Sequence, residues 1–302
     1  MFSENIFDIS LSRRTFIAAS ASTIFLPSTS LAKPVPEFNN ALTVQQVMDI
    51  VLKSVPAAPI QNTVDTLKAG QSDMYVTGIV TTMFATIAVI KKAIDVKANF
   101  IIAHEPTFYN HLDETTWLEN DKVWNYKNEL LKKNNIALWR FHDYIHSLRP
   151  DGVLMGVLSS LGWAKYYKAD KPQIVTIPTS SLGDIVKLAK EKLQIKNLRV
   201  IGDLNQSCKK IALLPGAAGG KRQIQLIQNE SPDVLLCGES PEWETIEYIR
   251  DANLAGMKQS LVVLGHSVSE EPGMEWLVSW LQPKVSGIPV THIASKDPFT
   301  WM

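Results

Sequence analysis

Cysteine is almost missing from this chain. Cys208 and Cys237 are the only two in 302 residues, too few for a disulfide framework or a thiolate zinc site. Cys237 follows the apolar run Val234-Leu235-Leu236, where a buried free thiol is the plain expectation. A Cys208–Cys237 bridge is the alternative in an oxidising compartment. A charge excess of either sign is missing too, because thirty Lys and Arg balance thirty Asp and Glu. With no global field and no basic stripe interleaved with aromatics, nucleic acid and anionic lipid are not expected partners. No apolar run is long enough for a stable membrane span, and there is no short tandem repeat or low-complexity tract. Histidine is scarce as well, six in all, which makes its placement informative. The remainder, 45% hydrophobic and 20% charged, is the composition of a soluble globular protein. The length allows one or two α/β domains with a large core.

Residues 1–32 read as a targeting segment. Ser12-Arg13-Arg14-Thr15-Phe16 resembles the bacterial twin-arginine export signal. A mildly apolar run, Ile17–Leu26, and a small-residue cleavage site, Ser30-Leu31-Ala32, follow in the expected order. The expectation is an exported, periplasmic protein. Residues 33–42, with Pro34 and Pro36, read as a linker, and 43–302 as the folded part.

Within that part, helices and strands alternate. Thr43 with Gln46 makes a capping box at the head of a helix. Strands are expected at Tyr75–Met83, Phe100–Ala103, Ile136–Phe141, Leu198–Ile201, Ile211–Leu214, Asp233–Cys237, Leu261–Leu264 and Pro289–Ile293. Helices are expected at Ala85–Ile94, Val123–Lys133, Asp151–Leu161, Ser181–Leu193, Arg222–Gln228, Glu242–Asn253 and Gly273–Leu281, the last with Pro272 near its first turn. The fold class is α/β, with mostly parallel strands in two halves, roughly 43–165 and 166–302.

The functional signal lies at three strand ends. Phe100–Ala103 stops at His104, Glu105 and Pro106, because proline cannot donate to a sheet ladder. Ile136–Phe141 runs into His142, Asp143 and His146, and Leu261–Leu264 into Gly265, His266 and Glu270. Open α/β sheets place their ligands at such carboxyl edges. One strand-end histidine is more often a hydrogen-bonded boundary residue than a ligand. Four of the six histidines at three such ends, with carboxylates beside them, point to zinc, iron or manganese. The loop Gly216–Lys221 lacks P-loop spacing and reads as a structural turn. Trp117, Trp124, Trp139, Trp243, Trp276 and Trp280 read as core or interface residues.

Ala103-His104-Glu105-Pro106, the His142–His146 segment and Gly265-His266-Ser267-Val268-Ser269-Glu270 resemble three signature motifs of the Nif-three-like dinuclear-metal family. Those motifs are His-His-Pro, His-Thr-Asn-Leu-Asp and Gly-His-x-x-Ser-Glu, and their order agrees from about Thr43 to the end. The resemblance implies two related α/β halves, a pair of divalent metal ions at the strand carboxyl ends, and a ring-shaped homo-oligomer, commonly a hexamer. It also implies a cyclohydrolase-like or other hydrolytic activity on a small-molecule substrate. Carried over position by position, the metal ligands are His104, Glu105, His146, His266 and Glu270, with His142 beside the site as a catalytic proton carrier. Two positions depart from the pattern: a His has become Glu105 and an Asp has become His146. An exchange of these two across one metal would account for both departures. Around Gly238-Glu239-Ser240 only Gly238 and Glu239 match the family, so the substrate pocket is expected to differ. Two readings compete with the hydrolase: a metal-binding oligomer without turnover, and an α/β protein whose histidines are merely hydrogen-bonded.

Overall fold

The computed structural model describes residues 41–302. The expected export segment, 1–32, and all but the last two residues of the expected linker, 33–42, lie outside the described residues. In chain order the elements are α1 (Val44–Leu52), β1 (Leu67–Ala69), β2 (Ile79–Thr82), α2 (Ile87–Asp95), β3 (Phe100–Ala103), α3 (Lys122–Lys133), β4 (Ala137–Arg140), α4 (Asp143–Ser147) and α5 (Gly152–Ser160). There follow β5 (Ile174–Ser181), α6 (Leu182–Lys192), β6 (Arg199–Ile201), β7 (Ser207–Leu214), α7 (Gly220–Glu230), β8 (Val234–Cys237), α8 (Glu247–Leu254), β9 (Ser260–Val263), α9 (His266–Leu281) and β10 (Val290–His292). Among the described residues, no helix is long and apolar enough to cross a membrane.

Local chemistry accounts for the helix starts. Thr43 and Gln46 form the expected capping box. Thr86, Asp121, Asp151 and Ser181 each accept an amide from the first turn of the following helix. The strands β2, β3, β4, β8 and β9 are buried at every position, as parallel strands covered on both faces must be.

These strands build two mixed sheets. The first has the order β1-β4-β3-β2-β10 and is parallel except for β1; the second has the order β5-β7-β8-β9-β6, with β5 and β6 antiparallel at its edges. The last strand thus returns to the first sheet, where Val290–His292 pairs with Ile79–Thr81. The second stretch read from the sequence, 166–302, therefore donates a strand to the sheet of the first.

Each sheet is covered on both faces. Val89, Ile90 and Leu131 from α2 and α3 pack on one face of the first sheet. Val44, Val47, Val153, Met274 and Leu277 from α1, α5 and α9 cover the other. α5 also sends Leu154, Val157 and Leu158 into the core of the second sheet, so this helix serves both sheets. α5 and α9 approach closely through glycine: a Cβ on Gly273 would stand 2.6 Å from the Cα of Val153, and one on Gly156 would overlap the carbonyl of Pro272. Pro272 lies well inside α9 rather than near its first turn, which moves the helix start back to His266. Cys208 and Cys237 are free and buried, so the bridge considered from the sequence is not formed. Burial pushes their thiols up, to about 11 and about 12.

Candidate metal centre

The parallel strands of both sheets end toward one point. His104 and Glu105 follow β3, and the ladder holds them through His104 N–H to the Thr82 carbonyl and Glu105 N–H to that of Met83. His142 follows β4, and His146 lies in α4 one turn on. His266 opens α9 and Glu270 follows on the same face. Glu239 follows β8, and Gly216 follows β7. The structure thus brings together all five residues expected as metal ligands, with His142 among them.

The imidazoles share one arrangement. His104 Nδ1 lies 3.2 Å from the Phe141 carbonyl, His142 Nδ1 2.9 Å from Asp143, His146 Nδ1 3.0 Å from Asp151, and His266 Nδ1 3.0 Å from Glu239. An acceptor on Nδ1 orients each ring and presents Nε2 to the centre, the pattern of metal-ligating histidines. His104 Nε2 is fully buried and has no hydrogen-bond partner, and the nearest carboxylate is Glu270 Oε2 at 3.3 Å. His266 Nε2 lies 3.0 Å from Glu270 Oε2 and 3.3 Å from Glu105 Oε1. Donors around a four-coordinate ion with bonds near 2 Å stand roughly 3.3 Å apart, so the spacing and the orphaned nitrogen fit a cation. Two groups meet the distance requirement for one ion, His104–His142–His146 and His104–Glu105–Glu270. His104 belongs to both groups, and Glu105 and His146 occur together in neither.

The groups tune one another. Burial alone would lower His266, but hydrogen bonds to Glu105 and Glu270 lift it to about 10. Burial alone would raise Glu270, yet His104 and His266 hold it well below the usual carboxylate range. Glu105 is likewise lowered against its burial, chiefly by His266. His146 is raised against its burial by Asp151. His142 goes the other way: burial and the neighbouring His104 pull it to about 4 despite Asp143, so it is neutral at pH 7.

Several supporting residues escaped the sequence reading. Asp65 is buried and accepts the amides of His142 and Tyr144, fixing the start of α4. Asp151 caps α5 with one oxygen and orients His146 with the other. Arg140 is fully buried among the carbonyls of His104 and His111, Asp113, and Glu105 at 3.5 Å. Its signal was an arginine at the end of an apolar strand run. Gly216 N–H donates to Ser269 Oγ, its carbonyl accepts from Glu239, and Glu270 sits beneath it, while Ala217 and Ala218 of the same loop line the cavity. The centre opens on a cavity of about 860 Å³, lined by Glu105, His142, His146, Arg149, His266 and Glu270 among others.

Two α/β sheets that focus buried imidazoles and carboxylates on one cavity define a class of protein able to bind metal ions there. The chain belongs to the Duf34/NIF3 (NGG1p interacting factor 3) family, whose model matches residues 42–298. A Clostridium perfringens protein named GTP cyclohydrolase 1 type 2 homolog is 26% identical over 251 residues, covering 78% of this chain and 90% of its own length. The Staphylococcus aureus hypothetical protein SA1388 shares the fold with a TM-score of 0.70 at 20% identity, over 87% of this chain and all of that one. A Bacillus cereus protein related to NIF3 does so with a TM-score of 0.68 at 17% identity, again over 87% and 100%.

Proposed function

We propose that this chain is an exported protein that holds two divalent metal ions and uses them to hydrolyse a small-molecule substrate. One observation carries the reading: four imidazoles have Nδ1 engaged and turn Nε2 toward Glu105 and Glu270, beside a cavity large enough for a ligand. His104, Glu105, His146, His266 and Glu270 would hold the ions, as zinc, iron or manganese. Once bound, the ions supply Lewis acidity toward a carbonyl or phosphoryl oxygen and lower the pKa of water.

The rest is done by the chain itself. Glu239, Asp151 and Asp143 keep three imidazoles in a fixed tautomer. Burial of His104 and Glu270, 0% and 3% exposed, keeps bulk water from the inner side, while half-buried His142, His146 and His266 face the cavity. Arg149 on the same wall offers a positive charge to the substrate. His142 has a free lone pair at neutral pH, available to a proton or to a cation.

The name of the Clostridium perfringens relative suggests GTP as substrate, but nucleoside triphosphates are cytoplasmic and the twin-arginine-like segment argues for export. A homohexamer is the assembly proposed from the family resemblance. The test is metal-dependent turnover of a generic ester, a phosphodiester and an amide by the purified chain. Metal-dependent hydrolysis of any of them supports the reading. Tight metal binding without turnover across the panel supports the non-catalytic metal-binding oligomer instead.

A further inference from the structure

A second cavity, of about 520 Å³, lies beside the large one. Glu105 and His111 stand in the wall of both, but the second is otherwise built from different residues. Phe84 and Ile87 at the head of α2, with Pro106 and Tyr109 after β3, give it an apolar wall. Its volume suits a small molecule. Tyr109 is 52% exposed and has a φ of 68°, a left-handed conformation that a bulky side chain seldom adopts. Backbone strain of that kind gathers at ligand clamps.

One buried charge faces this cavity. Lys127 on α3 lines it and is only 4% exposed. An ammonium has three protons to donate, and among the described residues Nζ has one hydrogen-bond acceptor, the Thr107 carbonyl at 2.6 Å. The rings of Phe108 and Tyr109 lie 5.7 and 5.2 Å away. Asp113, the acid whose charge reaches Lys127, is held instead by Lys68 and Arg140, each at 3.4 Å. Burial pulls the amine down to about 8, which leaves it largely charged at pH 7. Thr107 lines the same cavity, and its Oγ1 is buried without a hydrogen-bond partner. Buried polar groups normally have partners. An ammonium and a hydroxyl short of acceptors both call for an oxygen that carries negative charge. A carboxylate fits better than a phosphate, because Glu105 in the wall is held ionised by His266 and opposes a second negative charge.

We propose that this cavity is a separate binding site for a small aromatic carboxylate. The carboxylate pairs with Lys127 and accepts from the Thr107 hydroxyl, and the ring packs on the apolar wall. Occupancy of this site needs no metal ion, so it does not rest on the dinuclear reading.

The test is calorimetric titration of the full chain, as purified and after chelator treatment, with 3-phenylpropionate and with its neutral analogue 3-phenylpropanol. The expected result is saturable binding of the acid with the same affinity in both preparations, and binding of the alcohol weaker by about tenfold or more. Lys127→Met should weaken the acid by a similar factor and bring acid and alcohol level. Thr107→Val should weaken it several-fold; circular dichroism checks both folds, and this variant decides the matter if Lys127→Met does not fold. No binding of the acid, or equal binding of acid and alcohol by the wild type, would overturn the proposal. So would undiminished acid binding in the folded variants, which would place the acid elsewhere. Acid binding that appears only with metal present would assign the carboxylate to the metal centre and overturn the separate site, leaving the dinuclear reading standing.

Discussion

Gly216→Ala tests how the fold seats Glu270. Gly216 has a φ of 68°, and an added Cβ would overlap Glu270 Oε1 and stand 3.0 Å from Oε2. Gly219, three residues on, has a φ of 81°, and a Cβ there would meet nothing within 4 Å. Both alanines therefore carry the backbone cost of a left-handed residue, about 1–2 kcal/mol. Only Gly216→Ala adds overpacking against a buried carboxylate, about 1–3 kcal/mol more. In the metal-free chain each kcal/mol lowers Tm by roughly 2–4 °C, so Gly219→Ala should melt a few degrees early and Gly216→Ala distinctly earlier. Displacing Glu270 should also weaken metal binding about 10–100-fold, or roughly 1.4–2.7 kcal/mol, in Gly216→Ala alone. Competition with a chromophoric chelator measures this. Equal metal affinity in both variants and the wild type would refute the reasoning, as would equal losses in the two variants.

Arg140→Met should destabilise the fold by about 1–3 kcal/mol, because it removes a buried guanidinium shared by Asp113 and Glu105 and leaves Asp113 to Lys68 and Glu105 to His266; the urea midpoint reports it. Chelator-treated protein should be most stable near pH 6.5. His142, at about 4 when folded, binds its proton more readily unfolded, so stability falls as pH drops from 6.5 toward 4. His266, raised to about 10, contributes fully below 6.5 and loses its contribution as pH rises toward 10. His142→Gln should flatten the acid limb and His266→Gln the alkaline one in thermal melts against pH. Replacing Arg13 and Arg14 together by lysine should leave a folded precursor in the cytoplasm, and unchanged export of that variant would count against the twin-arginine route.

The candidate site was legible in the sequence because its imidazoles and carboxylates sit where chemistry changes abruptly. An apolar run that stops at His104-Glu105-Pro106 announces a strand end, and Gly265-His266 does the same at β9. The capping box at Thr43 marks α1, and apolar spacing places α5 and α6 within a residue or so. Other features depend on contacts that no local pattern carries. β5 carries no strand signal in the sequence, because Pro178 and a run of polar residues hide an edge strand. Pro272 suggests a helix head and so a late start for α9, whereas it lies at the crossing of α9 with Gly156 of α5. The return of β10 to the first sheet and the acceptors Asp151 and Glu239 behind two imidazoles are tertiary facts.

The most direct measurement is elemental analysis of the wild-type chain purified without added metal, alongside His266→Ala and Glu270→Ala. The account predicts two divalent ions per wild-type chain and a marked loss in each variant, with the fold retained, because the core is made by the apolar strands and helices. Metal-free wild-type protein that cannot be reloaded, or full occupancy in both variants, would contradict it.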